Sequence, residues 1–388
     1  MAWRLAGGQR HVTNLWQNDE YNVSETAQTF VQLANQLGGF HPDAITSWAF
    51  VKSPLTLSHW TMNVVEILLI TGALWGLGHA VARFKKGYVI YLGFWVASVV
   101  FMLALEIPVY FPDKLGGDAT SLFFIHNEFT VQFFFGRAPL YILALYPAVM
   151  YSSFALVMQA GLFEGRFGAL SGAIAVGLVH HVFYEVFDHY GPQYGWWLWN
   201  YANFTGSLAS VPVSSMVSFA FIGPIALTLA TRLLVTSDRY EEGVSLNLTS
   251  SRIQFGVRVV AAGLLTPVFF VSLTPDSWYG LLGIELTPQR EVVTAIALLG
   301  SALMLTVRKF SRITEYSMSG LLTFSKIYLL LFLATFLALW LYALPDNLSA
   351  VDGVTSWGSR AGSLPYALGC IVLGVFFLLR TRTEEQGT

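Results

Sequence analysis

The sequence predicts an all-α fold: a polytopic transmembrane helical bundle of about nine spans, plus one re-entrant or interfacial segment. Three observations predict it. The 388-residue chain is 55% hydrophobic and only 11% charged, whereas a soluble domain carries about a quarter charged residues. Apolar runs recur along it, most near the roughly 20 residues a helix needs to cross the hydrocarbon core. Basic residues gather at alternate junctions between those runs, as cytoplasmic loops require.

Residues 1–60 form an extracytoplasmic cap. Met1 to Arg10 is polar and glycine-bearing, with no apolar stretch behind it, unlike a secretory signal peptide. Asn22-Val-Ser-Glu25 has the form of a capping box, and Phe30, Val31, Ala34 and Leu37 then recur at helical spacing until Gly38-Gly39. The resulting amphipathic helix lies on the outer membrane surface or packs on the extracytoplasmic loops. The cap, residues 1–60, is also the candidate surface for a membrane-protein partner.

Residues 61–380 form the transmembrane domain. Its spans run over about 61–83, 87–110, 139–161, 167–189, 211–235, 253–273, 291–307, 325–344 and 364–380. The stretch Ser121 to Phe135 is short and interrupted by His126, Asn127 and Glu128, so it is read as non-spanning. With the N-terminus outside, Arg83, Lys85, Lys86, Arg232, Arg239, Arg308, Lys309 and Arg380 all fall inside. Counting Ser121 to Phe135 as a span would invert everything after it and scramble that bias. Residues 381–388 are then a cytoplasmic tail. The net charge of −2 gives no footing for nucleic acid, and the lone Cys370, inside an apolar run, can form no intramolecular disulfide.

Ionisable residues within spans are costly and are functional candidates by default. The densest set lies in the fourth span, His180-His181-Val-Phe-Tyr184-Glu185-Val-Phe-Asp188-His189-Tyr190. At helical spacing His181, Glu185, Asp188 and His189 fall within about 100° of one another. Glu185 and His181 lie deepest; Asp188 and His189 can equally be read as the polar end of the span. Glu106 stands beside Pro108, whose missing amide hydrogen kinks the second span. The interrupted stretch adds His126 and Glu128, and Trp196, Trp197, Trp199 and Asn200 follow the fourth span. These elements share the outer leaflet, so they can build one site: Glu106, Glu128, Glu185 and His181 as catalytic candidates, with Tyr184, Trp196, Trp197, Trp199, Asn200 and His126 around the substrate. Glu66, His79 and Arg258 stand alone and read as inter-helix bonds. Gly72, Gly76, Gly168 and Gly172 read as close-packing positions. No nucleotide, flavin, haem or GxSxG pattern is present.

Glu106 near a span end, then Phe135-Gly136, then Pro139-Leu140 leading into a span, is similar to the integral-membrane carotenoid hydratase family of bacterioruberin-type pathways. The stretch Tyr194-Gly-Trp-Trp-Leu-Trp199, followed by Val211-Pro-Val-Ser-Ser215, resembles that family too. The resemblance covers about residues 100–235. The family's more regular Pro-Phe-Gly-X-Tyr stretch is not kept here, and the cap and the last four spans have no counterpart. The resemblance implies isoprenoid (terpenoid) chemistry.

Three functions remain open. The first is an intramembrane enzyme of lyase or isomerase type acting on an isoprenoid or other apolar lipid. A carboxyl protonates a double bond, aromatic faces stabilise the cation, and a second carboxylate or histidine takes a proton or activates water. No cofactor is needed. The second is a zinc or iron enzyme drawing ligands from His126, Glu128, His181, Glu185 and His189. Three helical ligands at i, i+4 and i+8 spread over about 12 Å, too far for one ion, so ligands from elsewhere would be required. The third is a non-catalytic subunit of a membrane complex, or a proton- or cation-coupled transporter.

Overall fold

The computed structural model describes residues 25–37, 47–112, 122–235, 251–313 and 323–381. Its helices are α1 (Glu25–Gln36), α2 (Trp60–Lys85), α3 (Val89–Tyr110), α4 (Leu140–Gln159), α5 (Gly168–Asp188), α6 (Val213–Leu234), α7 (Ser251–Leu273), the short α8 (Pro275–Leu281), α9 (Pro288–Ser311), α10 (Phe324–Leu348) and α11 (Leu364–Arg380). Each of the nine expected spans coincides with one of these helices. Eight are long and apolar enough to cross a membrane, and α11 is a shorter apolar helix. The chain is an integral membrane protein. Among the α-helices of the described residues, only α8 was not expected from the sequence.

α5 is the axis of the bundle, packed by α4, α6, α9, α10 and α11. Two of its neighbours are interrupted by a π-turn, Tyr146–Met150 in α4 and Ser218–Ile222 in α6. Each interruption goes with a proline, Pro147 within the first and Pro224 two residues past the second, which has no N–H to offer the carbonyl one turn earlier. For Pro224 that carbonyl is Ala220, and the His180 ring of α5 supplies the missing donor, Nδ1 to O at 2.7 Å. His180 is therefore a structural side chain. The expected packing glycines sit at close contacts: a Cβ on Gly72 would meet the Tyr328 ring, and one on Gly172 the Phe163 ring.

The interrupted stretch is not a helix; it supplies two short strands. β1 (Ala49–Val51) pairs antiparallel with β3 (Val131–Phe133), which also pairs with β4 (Ala138–Pro139). β2 (Phe124–His126) pairs with β5 (Trp197–Trp199) in the register Phe124↔Trp199, Ile125↔Leu198, His126↔Trp197. β6 (Ser207–Leu208) and β7 (Val211–Pro212) form a hairpin before α6. Glu66 of α2 fastens the layer by accepting the Thr130 and Val131 amides at 3.0 and 3.4 Å.

Alternation makes the β2–β5 ribbon two-faced. Ile125 and Leu198 point outward and pack with Phe30, Leu33, Ala34 and Leu37 at α1. Phe124, His126, Trp197 and Trp199 point inward. The amphipathic helix is thus a cover on the loops, the second of its two expected placements. Asn22, Gly38 and Gly39, and the tail beyond Thr381, lie outside the described residues.

A candidate site in an aromatic chamber

The inward face of the ribbon roofs a cavity of about 30 Å³ between α3, α4, α5 and α6, with room for a water molecule. Its wall is mostly aromatic: Phe124, Tyr146, Tyr184, Phe187, Trp197, Trp199 and Phe219. Three polar side chains break that wall, each from a different element.

Glu106 enters from α3, two residues before the in-helix Pro108. The Tyr146 hydroxyl, at the start of the α4 π-turn, donates to its Oε1 at 2.7 Å, while Oε2 makes no hydrogen bond. Asp188 enters from the last turn of α5. The Ser215 hydroxyl approaches its Oδ2 at 3.4 Å, and Oδ1 is without a partner. His126 comes from the ribbon; its Nδ1 lies 3.0 Å from the Tyr141 hydroxyl and its Nε2 is unpartnered. Burial lowers the His126 pKa from 6.5 to about 3, so the ring is neutral. A buried polar atom left unbonded is expensive. Three of them, with Trp199 Nε1 a fourth, around a space of water size mark a place built to receive a polar atom.

The rest of the fourth-span stripe faces elsewhere. Glu185 lies between His181 and His189, Oε1 3.5 Å from His181 Nδ1 and Oε2 3.5 Å from His189 Nε2. The tautomers follow from the partners. His181 Nδ1 faces the Met216 carbonyl at 3.0 Å and must donate, so Nε2 accepts from the Tyr366 hydroxyl at 2.7 Å. His189 Nδ1 accepts the Ser363 amide at 3.3 Å, which leaves its Nε2–H on the side of Glu185, 3.5 Å away; that nitrogen and both Glu185 oxygens make no hydrogen bond. This set joins α5 to α6 and to α11 and does not line the chamber.

The expected convergence is therefore corrected in part. Glu106, His126, Tyr184, Trp197 and Trp199 do come together, joined by Asp188. Glu128 does not: its carboxylate is paired with Lys52 at 2.7 Å, at the partly exposed edge of β1 and β3. His181 is held on another face of α5 by Met216 of α6 and Tyr366 of α11, and Glu185 lies between His181 and His189. Trp196 is fully buried and donates from Nε1 to Thr61 Oγ1 at 3.0 Å, and Asn200 holds the Leu122 carbonyl at 3.0 Å; neither lines the chamber. The ligand set His126, Glu128, His181, Glu185 and His189 is divided among three places. Among the described residues no group of three or more His, Cys, Asp and Glu side chains is disposed to hold a metal ion. His79 bonds Tyr151 at 2.8 Å, as a lone span histidine should.

Sequence reasoning missed Tyr146, Tyr141 and Tyr366. Tyr146-Pro147 in mid-span carried a signal, since a proline there loosens the helix beside a hydroxyl. Comparison with protein-family models, with curated proteins and with solved structures finds no match.

Proposed function

We propose that this chain is an integral-membrane enzyme performing acid–base chemistry on an isoprenoid or similarly apolar lipid, with Glu106 and Asp188 as its proton-handling carboxyls. One observation carries the reading. Two buried carboxyls from different helices, each with an unbonded oxygen, line the same aromatic-walled, water-sized space. The likeness of residues 100–235 to membrane carotenoid hydratases supports the substrate class.

In this mechanism the terminal double bond of the chain enters past Tyr184 and Phe219, the two half-buried aromatics of the wall. Glu106 protonates it: the acid O–H breaks, a C–H bond forms, and the π pair leaves a tertiary cation on the neighbouring carbon. The faces of Trp197, Trp199 and Tyr184 stabilise that cation. For hydration, water forms the C–O bond and gives its surplus proton to the Asp188 carboxylate. For isomerisation or cyclisation, Asp188 takes a proton from an adjacent carbon instead. Water in the chamber then returns the proton from Asp188 to Glu106. His126, neutral, orients the water through Nε2.

We also propose that the ribbon, α1 and the chamber lie at the extracytoplasmic side and the C-terminus in the cytoplasm, as the basic-residue asymmetry supports. Reporter fusions after Lys86, Arg239 and Arg382 should read cytoplasmic, and those after Lys52 and Gly353 external. Opposite readings from Lys86 and Arg239 contradict this orientation.

The activity test is expression of the full chain in cells supplied with an acyclic polyene such as lycopene, with the extracted lipids resolved by mass spectrometry. A hydrated or isomerised product that vanishes with Glu106→Gln and Asp188→Asn, at unchanged protein levels, supports the reading. Unaltered lipid contradicts it; stoichiometric zinc or iron in the purified protein favours the metalloenzyme, and a stable partner protein favours the subunit.

A further inference from the structure

A second, larger cavity of about 640 Å³ lies between α5, α9 and α11. It borders a different face of α5 from the chamber. Chamber-lining Tyr184, Phe187 and Asp188 and crevice-lining Leu178, His181 and Val182 are centred roughly 120° apart at 100° per residue. Along α9 the crevice runs from Val292 to Leu303, about 16 Å at 1.5 Å per residue. Its volume is in the range of sites that enclose a small organic molecule.

Three features fix what it can hold. First, Val292 and Ile296 on its α9 wall are 41% and 66% exposed, and Leu368 and Val372 of α11 beside it are 42% and 70% exposed. The crevice therefore opens sideways onto the apolar outer surface of the bundle, where the bilayer lies. Second, its emptiness is built from small residues. Gly300 of α9 and Gly369 of α11 line it, and a Cβ added to either would meet no atom within 4 Å. Glycines in membrane helices ordinarily serve close helix contact, as Gly177 does against Ile225 at 2.6 Å. These two instead keep space open. Third, the lining is apolar save for a few groups, chiefly His181 and Tyr366. Because Tyr366 spends its hydroxyl hydrogen on His181 Nε2, its oxygen is left to accept. The complementary ligand group is a donor, a hydroxyl.

We propose that this crevice binds the single chain of a lipid alcohol, taken laterally from the membrane, with its hydroxyl donating to the Tyr366 oxygen. The proposal is independent of the chamber chemistry, since it shares no lining residue with it.

The test uses the full chain in lipid nanodiscs and a photoactivatable long-chain alcohol, a diazirine analogue of hexadecanol. Labelling should map to peptides covering residues 288–303 and 364–373 and be competed by hexadecanol better than by hexadecane. Gly300→Leu and Gly369→Leu put a side chain into the space through a Cβ that meets no atom within 4 Å, so each should cut labelling about tenfold or more with the melting temperature unchanged. Tyr366→Phe should remove the preference for the alcohol over the alkane. Labelling that maps elsewhere, or that survives both leucine variants, overturns the proposal. Equal competition by alcohol and alkane in the unaltered protein overturns the hydroxyl assignment. A probe-independent dimer crosslinked through the same peptides makes the crevice an interface between copies and overturns it too.

Discussion

The two carboxyls Glu185 and Asp188 stand three residues apart on α5, equally buried, and have opposite surroundings. Asp188 looks across an aromatic chamber toward α3 and α4 and keeps a free oxygen at a space of water size. Glu185 lies 3.5 Å from each of two imidazoles, neither of its oxygens hydrogen-bonded, and it lines neither cavity; the imidazoles themselves are tied to Met216 of α6, to Tyr366 of α11 and to Ser363 before it. The difference teaches that burial of an ionisable group at membrane depth does not identify a reactive one. Reactivity needs room for a second molecule beside the group itself: Asp188 lines the chamber, whereas the larger crevice reaches α5 at His181 and not at Glu185. The histidine face has the character of a joint.

The largest expected effect breaks or upholds this contrast at once. Glu106→Gln and Asp188→Asn should lower turnover of an apolar polyene by about a hundredfold or more, the weight of a lost general acid or base. Glu185→Gln, one face away, should keep turnover. Loss of activity in Glu185→Gln at full stability would erase the distinction between the faces.

The joint should show itself in stability instead. His181→Ala removes the donor to the Met216 carbonyl and the acceptor of the Tyr366 hydroxyl. The stranded carbonyl of buried Met216 costs about 1–3 kcal/mol, and the half-buried Tyr366 hydroxyl less. Thermal unfolding in detergent should fall markedly for His181→Ala and little for Asp188→Asn.

His126 sharpens the chamber side through pH. Its folded pKa, about 3, lies below the ordinary 6.5 because burial disfavours the charged ring. Between those values the unfolded chain binds a proton that the folded chain does not. Stability should therefore be fully present above pH 6.5 and be lost as pH falls below it, by at most about 1.4 kcal/mol per pH unit. His126→Gln should flatten that part of the profile relative to the unaltered protein; identical slopes would mean the ring is open to water.

The smallest effect belongs to the outer edge. The Lys52–Glu128 pair is partly exposed, and Glu128→Gln should change stability by less than about 1 kcal/mol. It should leave turnover unchanged. A large loss of turnover would return Glu128 to the site.

How much of this was legible in the sequence follows from the same physics. Spans were legible because hydrocarbon forces long apolar runs, and the polar triplet His126-Asn127-Glu128 kept the tenth stretch from being taken for one. Glu106 was legible from its proline. The division of the fourth-span stripe was not, because a helical wheel places Asp188 near Glu185 and carries no information about which neighbour each meets. Glu128 was not legible as a salt-bridge residue, since Lys52 lies 76 positions away. The ribbon was written plainly in the alternation Phe124-Ile125-His126 and Trp197-Leu198-Trp199. That period is three residues long in each strand, too short to separate from an apolar run and an aromatic belt. The π-turns, which set Tyr146 and Ala220, depend on packing against α5 and left only their prolines as a trace.

The central claim, that a chamber carboxyl protonates a carbon–carbon double bond, is tested most directly by isotope incorporation. Turnover in deuterated water should place a single non-exchangeable deuterium on carbon at the site of protonation, and Glu106→Gln should yield no labelled product. Product formed without a new C–D bond would contradict acid-initiated chemistry, and labelled product formed at the normal rate by Glu106→Gln would contradict the assignment of the acid.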